Sequence, residues 1–142
     1  MSKPALAIEH HSVAGLKPYG GNARTHSSKQ IAEIASSIKA FGFNNPVLID
    51  KAGTIIAGHG RVEAAKKLGL ESVPVIRLEH LTDAQKRAYI LADNKLAEKA
   101  GWDREILAIE LQHLMELELD FDVSITGFEL SEIDVLIGEL DA

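Results

Sequence analysis

Five consecutive residues, Ala57-Gly58-His59-Gly60-Arg61, constrain this chain most. They join a β-type run, Thr54-Ile55-Ile56, to a helix-type run, Val62-Glu63-Ala64-Ala65-Lys66-Lys67-Leu68. A glycine at a strand-to-helix turn lets the backbone approach a ligand closely. The free N–H groups and positive dipole end of the following helix attract an anion, typically phosphate. Arg61 adds a planar fork that can grip phosphate through two hydrogen bonds. A guanidinium at a helix N-terminus otherwise opposes the dipole, so a bound phosphate or a carboxylate partner is expected beside it. The local reading is a phosphate or nucleotide cradle; the alternative is a glycine turn with a purely structural task. A Walker A loop is excluded, because the G-x-x-x-x-G-K-[ST] spacing is absent.

The remaining elements follow from periodicity and punctuation. Leu6-Ala7-Ile8-Glu9 reads as a first strand, and Leu16 to Gly21 as loop, broken by Pro18 and two glycines. Ser27 and Gln30 form a capping box for a helix to about Phe41, with Ile31, Ile34, Ile38 and Phe41 at helical spacing and Gly42 as its stop. Strands near 47–50 and 54–57 flank the Ala52-Gly53 turn as a hairpin. A helix over 61–68 stops at Gly69, and a strand over 73–78 carries Pro74, which suits a sheet edge or a strand start. Thr82 and Gln85 cap a helix to about residue 92. Asp103 caps a helix bearing Leu107, Leu111 and Leu114, Phe121 to Phe128 reads as a connector, and a last helix over 131–140 places Ile133, Leu136, Ile137 and Leu140 on one face.

Charge divides the chain. Residues 1–102 hold 14 Lys and Arg against 9 Asp and Glu, a balance of +5, whereas residues 103–142 hold 1 against 12, a balance of −11. Such asymmetry points to a charged partner or, more simply, to a well-solvated acidic helix. The chain has no Cys, which rules out disulfides and thiolate metal sites and suits a reducing cytosol. No apolar run reaches 18 residues, so no membrane span is expected, and Met1-Ser2-Lys3-Pro4 does not open a signal peptide. Aromatic residues are 5% of the chain, too few for a base-stacking platform. His10, His11, His80 and His113 have no metal-ligand spacing. Lys66, Lys67 and Arg77 could present a basic surface to DNA, or simply a solvated one. No helix-turn-helix recognition helix can be placed, so any DNA binding is expected to be weak and phosphate-driven.

In order along the chain stand Asn22-Ala23-Arg24, Pro46-Val47-Leu48-Ile49, the Gly58–Arg61 cradle followed by Ala64-Ala65, Val73-Pro74-Val75-Ile76, and Asp93-Asn94. This order resembles the ParB/sulfiredoxin superfamily, in its ParB N-terminal domain branch, over about residues 5–102. The continuation from Ile90 to Leu136 is similar to ParB-like front regions of prophage and bacterial DNA-modification methyltransferases. The fold that the resemblance implies is α/β (α+β), a small mixed sheet flanked by helices, with residues 1–102 as a nucleotide-binding domain and 103–142 as an acidic helical extension.

The resemblance further implies a nucleoside triphosphate with Mg²⁺. Gly58, His59, Gly60 and Arg61 would hold phosphates, and Asp93 and Asn94 would stand at the metal. Asn22, Arg24 and His26 would line the opposite wall. The chain departs from the pattern at His59-Gly60, where partition proteins usually carry Glu-Arg, and at Ala97, where they carry Arg. Sulfiredoxin has its reactive Cys at the place of His59, so sulfinic acid reduction is excluded. Neither a methyltransferase F-x-G-x-G nor a [DN]-P-P-[YFW] run is present, and the DNA-reading second domain of partition proteins is expected to be missing. The implied role is a nucleotide-responsive accessory module, cytoplasmic and nucleoid-associated. Its expected partners are DNA and either a downstream methyltransferase domain or a second copy held through the C-terminal extension. Catalysis by the same cradle (phosphotransferase, NTPase or nuclease) and a protein-interaction domain with a degenerate site are the rivals.

Overall fold

The computed structural model describes residues 5–22 and 24–141; Met1–Pro4, read above as opening no signal peptide, and Ala23 lie outside them. The chain divides into two compact units, Met1–Glu98 and Lys99–Ala142. The first carries strands β1 (Ile8–Ser12), β2 (Val47–Ile49), β3 (Ile55–Ala57) and β4 (Ser72–Arg77) and helices α1 (Ser28–Phe41) and α2 (His59–Leu68). Helix α3 (Asp83–Lys99) runs to the boundary at Glu98/Lys99, and α4 (Arg104–Glu116) and α5 (Leu130–Glu139) belong to the second.

The sheet runs in the order β1-β4-β2-β3, with β2 parallel to β4 and the other pairs antiparallel. It is therefore a mixed sheet, as expected. Alternation along the strands sends neighbouring residues to opposite faces. Val47, Ile49, Ile55, Val73 and Val75 meet Val62 and Ala65 of α2 on one side. Leu48, Ile56 and Ile76 meet Tyr89 and Ile90 of α3 on the other. Both faces are covered over β2, β3 and β4, which explains why those strands read as mainly apolar runs, whereas the edge strand β1 stays largely exposed.

Four details differ from the sequence reading. Strand β1 lies two residues later than Leu6-Ala7-Ile8-Glu9, because its register is fixed by β4, from Ile8 opposite Ile76 to Ser12 opposite Ser72. Pro74 is not at an edge: β4 lies inside the sheet, but β2 joins it only from Val75 onward, so Pro74 has a strand on one side alone. Ser27 does cap α1 by accepting from the Gln30 N–H at 3.0 Å, yet the Gln30 carboxamide turns to His26 Nδ1 at 3.0 Å instead of reaching back. Helix α3 runs to Lys99, well past residue 92. Leu96, Ala97, Glu98 and Lys99 are strong helix formers, and the Asn94 side chain donates to the Ile90 carbonyl one turn earlier at 2.9 Å, which accommodates it inside the helix.

A half-buried ion pair ties α3 to the hairpin. Lys86 Nζ stands 3.0 Å from Asp50 Oδ2, with the two side chains 18% and 14% exposed. The other Asp50 oxygen accepts from the Ala52 and Thr54 N–H groups, each at 2.9 Å. In the second unit, α4, a 3₁₀ turn at Val123–Thr126 and α5 close around Ala108, Leu111, Val123, Ile133 and Leu136. Asp103 caps α4 by accepting from the Ile106 N–H at 3.1 Å, as its position predicts.

Candidate functional site

Gly58 stands at the end of β3 with φ 107° and ψ 22°, a left-handed conformation that L side chains resist. A Cβ there would lie 3.0 Å from Arg61 Nη2, so the absent side chain also makes room for the guanidinium. Helix α2 begins at His59, two residues earlier than its apolar run suggests, which places His59, Gly60 and Arg61 in its first turn. The first turn of a helix leaves N–H groups without intrahelical partners, and no side chain caps them here. Gly60 is buried against α1, where a Cβ would meet Ile34 Cδ1 at 3.0 Å and the His26 ring at 3.1 Å.

Arg61 folds back along the start of β2 and donates from Nη2 to the Pro46 carbonyl at 3.0 Å. Its Nε is buried with no hydrogen-bond partner. Burial pulls the guanidinium below its ordinary value, and the nearby Asp93 carboxylate draws it back up. Arginine stays charged in proteins, so Arg61 is an under-compensated cation beside uncapped amides. An anion in contact with both would remove the deficit.

His59 reaches the loop before α1, its Nε2 accepting from the Tyr19 N–H at 3.1 Å. That bond fixes the neutral tautomer with Nδ1 protonated. Burial first, and the His26 ring second, hold His59 below the ordinary imidazole value, with Glu63 opposing them. Sequence reasoning missed Tyr19, since a backbone donor leaves no signature in its side chain. Protonation of His59 removes the Nε2 acceptor. Because the folded value lies below the unfolded one, the stability this group contributes is present above pH ~6.5 and falls as the pH drops below that. Melting between pH 7.5 and 5.5 is expected to show a loss in the wild type that His59→Gln, which keeps an acceptor but does not titrate, shows less. Equal losses in the two proteins would contradict this.

The nine residues singled out in the sequence, Asn22, Arg24, His26, Gly58, His59, Gly60, Arg61, Asp93 and Asn94, line one cavity of ≈ 190 Å³, together with Ile34, Ile56 and Ala57. Asn22 accepts the Arg24 N–H at 3.2 Å, and the Arg24 guanidinium lies 3.5 Å from Glu98 of α3. Asn94 spends its amide on Ile90 and keeps its oxygen. Among the described residues no group of three or more His, Cys, Asp or Glu could by itself hold a metal. Asp93 and the Asn94 oxygen could supply two hard ligands to an ion whose other ligands are phosphate oxygens and water, the usual manner of Mg²⁺. Small-molecule sites usually span about 300–1,000 Å³, so this cavity suits a phosphate chain and its metal while a nucleoside would extend past its rim.

Comparison with known proteins bears on these features. Residues 7–95 match the ParB N-terminal domain family, and residues 105–142 match the ParB-methyltransferase HTH domain family. The ParB-like nuclease domain-containing protein YnaK of Escherichia coli is 57% identical over 82 residues, 58% of this chain and 94% of that protein. A probable chromosome 2-partitioning protein ParB of Deinococcus radiodurans is 33% identical over 93 residues, 63% of this chain but only 30% of that protein. The fold is shared with a C-terminally truncated chromosome-partitioning protein ParB from Caulobacter crescentus in complex with CTP-γ-S. Its TM-score is 0.77 at 23% identity, over 95% of this chain and 79% of that one. The second match overturns the expectation that a helix-turn-helix segment is missing. What hid it is composition: residues 105–142 contain no Lys or Arg at all.

Proposed function

The chain belongs to the ParB N-terminal domain family, and on that premise we propose that it is a nucleotide-responsive module of a DNA-associated protein. The observation that carries this reading is the buried, unpartnered Nε of Arg61 beside the uncapped first turn of α2. Those amides and Arg61 would bind the phosphates of a nucleoside triphosphate, and His59 would present its Nδ1–H. Asp93 and Asn94 would hold Mg²⁺, and Asn22, Arg24 and His26 would close the far wall. The CTP-γ-S bound to the Caulobacter protein makes CTP the first nucleotide to test. The module would serve a DNA-modification methyltransferase or a partition-like protein, near the nucleoid. No helix among the described residues is long and apolar enough to cross a membrane.

A nucleotide panel followed by thermal shift and by product analysis tests the reading. Stabilisation by one triphosphate without turnover supports it, and no shift with any nucleotide contradicts it. Turnover, or cleavage of plasmid DNA, would favour the enzymatic rival that the YnaK description raises. The metal assignment has its own test. Chelation by EDTA should weaken nucleotide binding in the wild type and leave Asp93→Ala unchanged, because both Mg²⁺ and its hard ligand would already be lost. Equal weakening in both proteins would show that the ion sits elsewhere.

A further inference from the structure

We propose that the second unit, although it matches a helix-turn-helix family, offers a docking face for a cationic, apolar-faced protein segment and not for DNA. Trp102 precedes α4, one residue before its cap Asp103, and Ile106 and Ile109 stand one turn apart on the helix. They remain 69%, 60% and 48% exposed. These are large apolar side chains left in water close together in sequence, while Leu107, Ala108, Leu111 and Leu114 of α4 fill the unit's own core. Trp102 is steadied by an edge-on contact with Phe128, ring centroids 5.4 Å apart, so the group begins with a pre-positioned aromatic anchor of the kind that dominates binding energy. Glu105 and Glu110, both exposed, flank it.

Charge selects the occupant. Across residues 105–142 there are eleven Asp and Glu and no Lys or Arg. Binding to duplex DNA draws its affinity from Lys and Arg on phosphates, and this unit has only Arg104 and Lys99 before that stretch. Arg104 is moreover engaged with Glu139 through two contacts, at 2.6 and 3.1 Å. The start of α5, where a recognition helix would meet base edges, presents Glu129, Glu132 and Asp134. The acidic residues 103–142 of a second copy would bring the same carboxylates to the contact, and an anionic membrane surface would be repelled likewise. A polypeptide that carries both Lys or Arg and an apolar stripe satisfies the group and its flanks together, in the helix-on-groove manner of amphipathic recognition.

Trp102 is the only tryptophan of the chain, so its emission in the full chain reports on this face alone. The probes are an amphipathic Leu/Lys helical peptide, a Ser/Lys peptide of equal charge, and a short DNA duplex. The Leu/Lys peptide should blue-shift Trp102 and bind about tenfold or more tighter than the Ser/Lys peptide. The shift should disappear in Ile106→Ser/Ile109→Ser and in the charge-reversed Glu105→Lys/Glu110→Lys, whose changes lie on exposed positions. The second pair decides the matter if the first melts early. Absence of a shift with the Leu/Lys peptide, equal binding of the two peptides, unchanged binding in the variants, or a Trp102 shift with the duplex would each overturn the proposal. Nucleotide affinity measured on the same samples is expected to be unaffected, which keeps a failure here distinct from a failure at the cradle.

Discussion

Arg61→Ala is expected to lower nucleotide affinity by about 2–4 kcal/mol, roughly 30- to 700-fold, while the protein stays folded. The lost charge-assisted contact to phosphate sets that magnitude. The folded state loses one hydrogen bond, from Nη2 to the Pro46 carbonyl, but it also loses a buried donor that has no partner. These effects on stability oppose each other, so the melting temperature should move little. Arg61→Lys keeps the charge and loses the fork, and should recover only part of the affinity. Calorimetric titration decides this: equal affinity in wild type and Arg61→Ala would remove Arg61 from the site.

The largest stability effect is expected at Asp50, outside the cradle. Asp50→Ala leaves the half-buried Lys86 ammonium with only its longer 3.8 Å contact to Asp83 and frees the Ala52 and Thr54 N–H groups. Removal of one member of such a pair costs about 2–4 kcal/mol, or roughly 10–25 °C in melting temperature for a unit of this size. A cycle with Lys86→Met should be clearly less than additive, since either change breaks the same contact. Burial pushes the Asp50 carboxyl up, but the Lys86 hydrogen bond, the Thr54 and Ala52 amides and the Lys86 charge outweigh it and leave it below the ordinary carboxylate value. A carboxyl lowered by folding contributes stability that is present above pH ~3.9 and is lost as the pH falls below that. The wild type should therefore lose stability in acid more steeply than Asp50→Ala. A variant that melts within a degree or two of the wild type would show that the pair contributes nothing.

The elements that the sequence reveals are those whose cause is local. Glycine at 42, 58 and 69, Ser27 and Asp103 as caps, and the apolar periods of α1, α4 and α5 each act within a few residues. Each stands in the structure where the pattern places it, give or take one or two positions. What depends on partners distant in sequence was less legible. The register of β1 is set by β4, between 60 and 68 residues away. Pro74 is tolerated inside the sheet only because β2 starts one residue later along it. The Asp50–Lys86 pair joins residues 36 apart, and no local pattern couples them. The nine cradle residues became visible together through a family pattern, not through periodicity, because they come from three separate stretches of chain.

The proposed function stands or falls on whether the first turn of α2 binds phosphate. Amide chemical shifts of the labelled full chain, followed as CTP and the other triphosphates are added with Mg²⁺, test it most directly. The amides of Gly58, His59, Gly60 and Arg61 should move most and saturate, and Arg61→Ala should abolish the movement. Saturating shifts confined to other segments, or none at Gly58–Arg61 with any triphosphate, would contradict it.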